Sequence, residues 1–221
     1  MVVLHGFPYS NYHNIVKHTL MIKGVEFEER IAYPGAPELL SVNPTGKVPA
    51  MTTAQGTTLG ESSVLVEYLE DTYPEHPLYP ANPEEKAQVR QVMKVAELYL
   101  ELSARRLLPF AMTKSAPPKE LVTEVKAVLD RGTAALTKLA KFKPYVCGET
   151  LTLADVYLRY ALAIAKLVGP NFLQWNVLES VEGLAQWDAL MADSEISKKI
   201  DADQAANAQE FMAYVSGQMK K

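Results

Sequence analysis

The chain has one cysteine, Cys147. A lone cysteine cannot close a disulfide within the chain or form a CxxC redox pair, and it fits a reducing compartment. A basic cluster is missing too. Lys and Arg are scattered among Asp and Glu, and the net charge is −4, which is not the electrostatic footprint of a protein that binds nucleic acid or an anionic membrane. Long apolar runs are absent. The longest, Leu158 to Val168, is broken by Arg159 and Lys166 and is too short to cross a bilayer. The opening "MVVLHGFPYS" lacks the basic start and extended apolar stretch of a secretion signal. No internal repeat and no low-complexity tract occurs. His5, His13, His18 and His76 have no metal-ligand spacing with acids or cysteines, so no metal is expected. These absences leave a cytoplasmic protein with a small-molecule or protein partner, no nucleic acid and no membrane. Cys147 itself, in "PYVCGET", reads as a small core residue.

What is present divides into two patterns. In the first third, "VVLH" (Val2–His5) reads as a buried strand, broken by Gly6 and Pro8. From Asn11 the apolar residues Ile15, Val16, Leu20 and Met21 recur at helical steps, and Gly24 stands where a C-terminal cap belongs. "VEFEERI" (Val25–Ile31) alternates as a strand with one exposed face. Strand, helix, strand favours a parallel pair. A loop punctuated by Pro and Gly and a turn-rich segment to Pro44 follow. Then "VPAMTT" and "TTL" flank Ala54-Gln55-Gly56 as a hairpin, and "ESSVLVEYLEDTY" (Glu61–Tyr73) is an amphipathic helix. Pro74, Pro77, Pro80 and Pro83 then fall close together and mark a domain boundary.

Beyond Glu84 only helical periodicity remains. Val89, Val92, Met93, Ala96, Tyr99, Ser103 and Leu107 fall on one stripe; Val122, Val125, Leu129, Gly132, Leu136 and Leu139 form a second. They predict two long antiparallel helices joined near Pro117–Pro118. In "TLTLADVYLRYALAIAKLV", Thr152 and Asp155 predict a capping box, and the helix behind it is apolar nearly all round, which places it at the centre of its domain. Further helices are expected around Leu178–Leu190 and Gln204–Val215. The expected domains are 1–77, a linker 78–84 and an all-helical domain 85–221.

These elements, with four motifs in order, resemble the glutathione S-transferase family. The motifs are "GFPYSNYHNIVKHTLMIKGVEFEE", "NPTGKVPAM", "LGESSVLVEYLEDTYP" and "LTLADVYL". The resemblance implies a thioredoxin-like N-terminal domain followed by a helical-bundle domain. It also implies a glutathione transferase, in which the glutathione thiol is activated to attack a hydrophobic electrophile. The same scaffold also serves as a non-catalytic binding or assembly module, and glutathione-dependent isomerases and peroxidases are variants of the enzymatic reading. A thiol–disulfide oxidoreductase is disfavoured, since no cysteine lies near the first helix start.

The resemblance assigns roles residue by residue. Val48-Pro49 matches a cis bond that presents the Val48 backbone to the cysteinyl part of glutathione; from the residues alone, a trans proline on an edge strand is the alternative. Ser62 is assigned the γ-glutamyl carboxylate and Glu61 the ammonium, with simple helix capping as the alternative. Lys47 is the candidate for the glycyl carboxylate, with Asn43 second. Ser10 is the catalytic candidate, a hydroxyl donating to the thiol, and its alternative is an N-cap. Tyr9, Asn11 and Tyr12 are rival thiol contacts. Asn11 also departs from the proline that the family often has after this serine. Tyr99, Ser103, Arg106 and Phe110 are candidates for the acceptor pocket. A homodimer is implied, with the Glu61–Tyr73 helix near its interface.

Overall fold

The computed structural model describes residues 1–218. Their contacts divide the chain into two compact units, Met1–Pro77 together with the residues from Asp193 onward, and Leu78–Ala192. The C-terminal helix therefore groups with the first unit.

The first unit runs β1 (Val2–Gly6), α1 (Asn11–Ile22), β2 (Phe27–Ile31), α2 (Pro37–Leu40), β3 (Ala50–Thr52), β4 (Thr58–Gly60) and α3 (Ser62–Thr72). The sheet order is β2-β1-β3-β4, with β1 and β2 parallel and β3 antiparallel to both of its neighbours. This is the thioredoxin-like arrangement that the family resemblance implies. Ala50 packs with Ala32 and with Leu39 of α2. Its neighbour Met51 is paired with Leu4 and points to the other face, because side chains alternate along a strand. There α1 and α3 pack on each other and on the sheet, burying Ile15, Val16, Leu20, Leu65, Val66 and Leu69.

The second unit opens with α4 (Pro83–Val95), where Asn82 caps the Glu84 and Glu85 N–H groups. A continuous helix does not follow. A π-helical turn, Ala96–Glu101, separates α4 from α5 (Leu102–Arg105), and α6 (Leu108–Thr113) is a separate short helix. The wider turn shifts the register of the stripe. Leu100 and Glu101 go inward, whereas Tyr99 is only half-buried. Then come α7 (Lys119–Leu139), α8 (Leu153–Val168), a π turn at Gly169–Leu173, a 3-10 turn at Val177–Glu179 and α9 (Leu184–Asp193). The expected helix at Leu178–Leu190 is thus a 3-10 turn and then α9. Helix α8 is almost wholly buried and packs on α4, α5, α6 and the first π turn. The expected capping box forms: Asp155 accepts from the Thr152 N–H at 2.8 Å. Gly132 lets α7 approach closely, since a Cβ there would lie 2.7 Å from Leu100 Cδ2.

Helix α10 (Glu195–Gln218) returns to the first unit, longer than the Gln204–Val215 segment expected. Its Asp203 pairs with Lys17 of α1 at 2.8 Å. Its Phe211 stacks on Phe7 and Tyr9, and its Tyr214 on Tyr33.

Candidate active site

Register brings three loops to one end of the first unit's sheet. His5 pairs with Ala50, and Ala50 pairs with Gly60. Where β1 ends and leads to Ser10, β3 therefore begins after Val48-Pro49, and β4 ends before Glu61 and Ser62. Residues widely separated in sequence converge because β3 runs antiparallel to both partners.

Ser10 is the N-cap of α1. Its backbone is extended (φ −81°, ψ 118°), and its Oγ accepts from the His13 N–H at 3.3 Å. A hydroxyl accepts through a lone pair and keeps its own proton to donate. Capping and donation to a thiol therefore use different parts of the same group. The loop itself is tied from three sides. The Ser10 N–H donates to Phe7 O at 3.0 Å, the buried Asn14 donates its Nδ2–H to Pro8 O at 2.9 Å, and the Tyr9 N–H donates to Asn207 Oδ1 at 3.3 Å. Tyr9 is exposed, with its ring stacked on Phe211 at 4.6 Å. Asn11 is buried and Tyr12 half-buried at the start of α1.

Under the loop, α1 carries buried charge. His13 Nε2 lies 2.9 Å from Glu29 Oε1, and Lys17 Nζ lies 2.6 Å from Glu29 Oε2. Burial lowers the His13 pKa, against the raising effect of Glu29. The imidazole is then neutral, with Nε2–H donating to the carboxylate. Nδ1 lies so close to β1 that a side chain at Gly6 would collide with it. Burial pushes the Glu29 carboxyl up, but the hydrogen bonds from His13 and Lys17 outweigh this and hold it at about 2.

The Val48-Pro49 bond is cis, as the resemblance implies. Lys47 is exposed, Val48 half-buried and Pro49 buried. Asn43 is spent on its own loop: Nδ2 donates to Lys47 O at 2.8 Å, and Oδ1 accepts from the Thr45 N–H at 3.2 Å. Glu61 has φ 65° and ψ 116°, a conformation that costs a non-glycine residue about 1–3 kcal/mol and persists only where its surroundings enforce it. It makes no side-chain cap bond, so capping does not explain it. Ser62 is buried at the first position of α3, where the helix end favours negative charge.

The four acceptor-pocket candidates lie in the second unit. Ser103 is buried, Arg106 pairs with Glu124 at 2.8 Å, and Tyr99 packs near Gly132. Phe110 lines an open cleft of about 950 Å³ with Lys114, Pro117, Val122 and Phe172. Cys147 is half-buried, and burial, with the charge of Asp155, pushes its thiol up to about 11. It is therefore an unreactive thiol at neutral pH. Among the described residues no group of three metal-ligating side chains occurs, and no helix is long and apolar enough to cross a membrane.

Sequence reasoning passed over Asn14 and Asn207. Asn14 had a signal, an amide in a helix's first turn beside a loop. Asn207 had none that composition or periodicity could show.

Comparison with known proteins agrees with this fold. Residues 4–77 match the model of the glutathione S-transferase N-terminal domain, and residues 74–195 that of the C-terminal domain. A glutathione S-transferase from Pseudomonas putida is 38% identical over 216 residues, 97% of this chain and 98% of its own. A zeta-class glutathione S-transferase from Euphorbia esula is 32% identical over 62% of this chain and 58% of its own. The fold matches a glutathione S-transferase structure from Methylobacterium radiotolerans in complex with glutathione sulfonate, with a TM-score of 0.76, 19% identity and coverage of 90% of this chain and 93% of that one. The chain belongs to the glutathione S-transferase family and is a glutathione transferase, with glutathione as its substrate.

Proposed function

We propose that the end of the sheet where Ser10, Val48-Pro49 and Glu61-Ser62 converge holds glutathione and activates its thiol. The observation that carries this reading is the register that aligns His5, Ala50 and Gly60 and so collects all three segments. The Val48 backbone would pair with the cysteinyl part as an added strand. The Ser62 helix end would take the γ-glutamyl carboxylate, and the exposed Glu61 the ammonium. Lys47 is the cation nearest in sequence for the glycyl carboxylate. Ser10, which caps α1 through a lone pair and keeps its proton to donate, would hydrogen-bond the sulfur as it loses its own. The thiolate then attacks the electrophile. Tyr9, with its ring engaged by Phe211, and the buried Asn11 are poorer candidates for the thiol contact than Ser10.

A free thiol has a pKa of about 8.5, so it is mostly protonated at neutral pH. Lowering it by about one to two units makes the thiolate a major species and corresponds to about 1.4–2.7 kcal/mol. Ultraviolet titration of the thiolate in the glutathione complex tests this. Wild type should titrate below the free value and Ser10→Ala should return towards it; an unchanged apparent pKa removes Ser10 from the role. The reading extends to a cytoplasmic homodimer. The outward Val64 of α3, 48% exposed, supports an interface on that helix, and sedimentation measures the mass.

A further inference from the structure

We propose that Asn207 is a positioning residue for thiol activation. Asp203, Asn207, Phe211 and Tyr214 recur at four- and three-residue steps, so they share one face of α10. Each of the four addresses the edge of the first unit that carries the Ser10 loop. Asp203 pairs with Lys17 at 2.8 Å. Asn207 Oδ1 accepts from the Tyr9 N–H at 3.3 Å, and its Nδ2–H donates to Tyr33 Oη at 3.4 Å and to Glu210 Oε2 at 3.2 Å. Phe211 stacks on Phe7 at 5.3 Å and on Tyr9 at 4.6 Å. The Tyr214 hydroxyl donates to Pro34 O at 3.0 Å.

The loop from Phe7 to Ser10 has two anchors close in sequence, Ser10 N–H to Phe7 O and Asn14 to Pro8 O. Asn14 holds only the carbonyl of the peptide that joins Pro8 to Tyr9, and neither anchor takes its N–H. Asn207 takes that N–H through a side chain only 7% exposed, completing the hold on the peptide, and the next residue in the chain is Ser10. A hydroxyl that is to lower the pKa of a sulfur must hold its position against thermal motion, because a misplaced donor loses most of its effect. Asn207 acts through Ser10 and need not touch glutathione. The inference rests on the Ser10 reading above.

The test compares wild type, Asn207→Leu, Asn207→Asp and Ser10→Ala, using glutathione with a chlorodinitrobenzene acceptor. Asn207→Leu removes the acceptor for the Tyr9 N–H; Asn207→Asp keeps one. The expected result is a pH profile of kcat/KM displaced upward by about one unit in Asn207→Leu, giving about a tenfold loss near pH 6.5 and convergence with wild type above about pH 9. The KM for glutathione should change little, and Asn207→Asp should restore most of the profile. A uniform loss at every pH, or a profile superimposed on wild type while Ser10→Ala shifts, overturns the inference and leaves the Ser10 reading standing. An unshifted Ser10→Ala overturns that reading and this one with it. Amide hydrogen exchange of Tyr9 in the wild type does not depend on any variant folding. Protection of that amide is expected, and exchange as fast as in an open loop removes the clamp.

Discussion

Each unit holds a carboxylate inside a polar knot, and the two knots are built on opposite principles. In the first unit Glu29 sits between a lysine and a histidine. Lys17 bridges it to Asp203, and Lys17 is 2% exposed while the two acids keep 29% and 34% of their side-chain surface. In the second unit Asp155 is held by hydrogen-bond donors instead. Its carboxylate accepts from the Val146 N–H, the Thr152 N–H and the Trp187 Nε1–H, each at 2.8 Å, and from the Thr152 hydroxyl at 3.0 Å. Burial pushes the Asp155 pKa up, and those hydrogen bonds pull it down without cancelling the shift. One knot is a charge balance at an edge that water reaches. The other is a set of fixed donors converging on one acceptor in a sealed interior.

The contrast predicts how each fails. Asp155→Ala strands three N–H donors in the interior, where each unsatisfied donor costs about 1–3 kcal/mol, and it removes a helix cap worth about 1 kcal/mol. A loss of about 3–5 kcal/mol is expected after partial relaxation, read by urea unfolding with tryptophan fluorescence. Asp155→Asn should rescue little, because an amide would aim an NH₂ group at converging donors. A fully stable Asp155→Asn would show that the knot tolerates a donor and that the comparison is misdrawn.

The first unit should tolerate the matching injury better. Lys17→Met roughly preserves side-chain volume and removes the cation from between Glu29 and Asp203. Breaking a sealed ion pair costs about 3–5 kcal/mol. Here both stranded acids have access to water, so a smaller loss of about 1–3 kcal/mol is expected. Amide exchange in α10 near Asp203 should rise with it, since that helix loses a tether. A loss as large as that of Asp155→Ala would mean that the edge is sealed after all.

Legibility in the sequence follows the same divide. The Asp155 knot shows in "TLTLAD", because a capping box is local and its residues stand at fixed spacing. The strands, α3 and the cis Val48-Pro49 were equally legible, from alternation, helical period and motif. The α10 face was not. Its working residues are Asp, Asn, Phe and Tyr, so no apolar stripe marks them, and their partners lie far off in sequence, as with Lys17 and Tyr9. The π turn at Ala96–Glu101 was hidden for another reason. An inserted helical residue leaves apolar residues on both sides still in a plausible period, and only the burial of Glu101 in place of Tyr99 reveals the shift. The convergence of Ser10, Val48-Pro49 and Glu61 depends on strand register, which no local pattern states.

Acid should separate the knots most finely. Glu29 is held at about 2 in the folded chain, against 4.5 for the unfolded carboxyl. Its contribution is therefore complete above the unfolded value and is withdrawn as the pH falls from there towards 2. His13 acts in the same direction. Burial lowers its pKa below 6.5, so the unfolded chain takes up that proton first and stability begins to fall below that value. Asp155 acts in the opposite direction, since its raised pKa means that the folded chain binds the proton first and acid relieves the cost of a buried charge. A Glu29 shift of this size would be worth about 3 kcal/mol in a dry interior, and water at the partly exposed carboxylate reduces it to about 1–2 kcal/mol. Urea unfolding of wild type and Glu29→Gln between about pH 7 and pH 3 should give a steeper acid decline in the wild type, with the two curves converging as the carboxyl protonates. Parallel curves would show that Glu29 carries no acid sensitivity and that the two knots answer to protons alike.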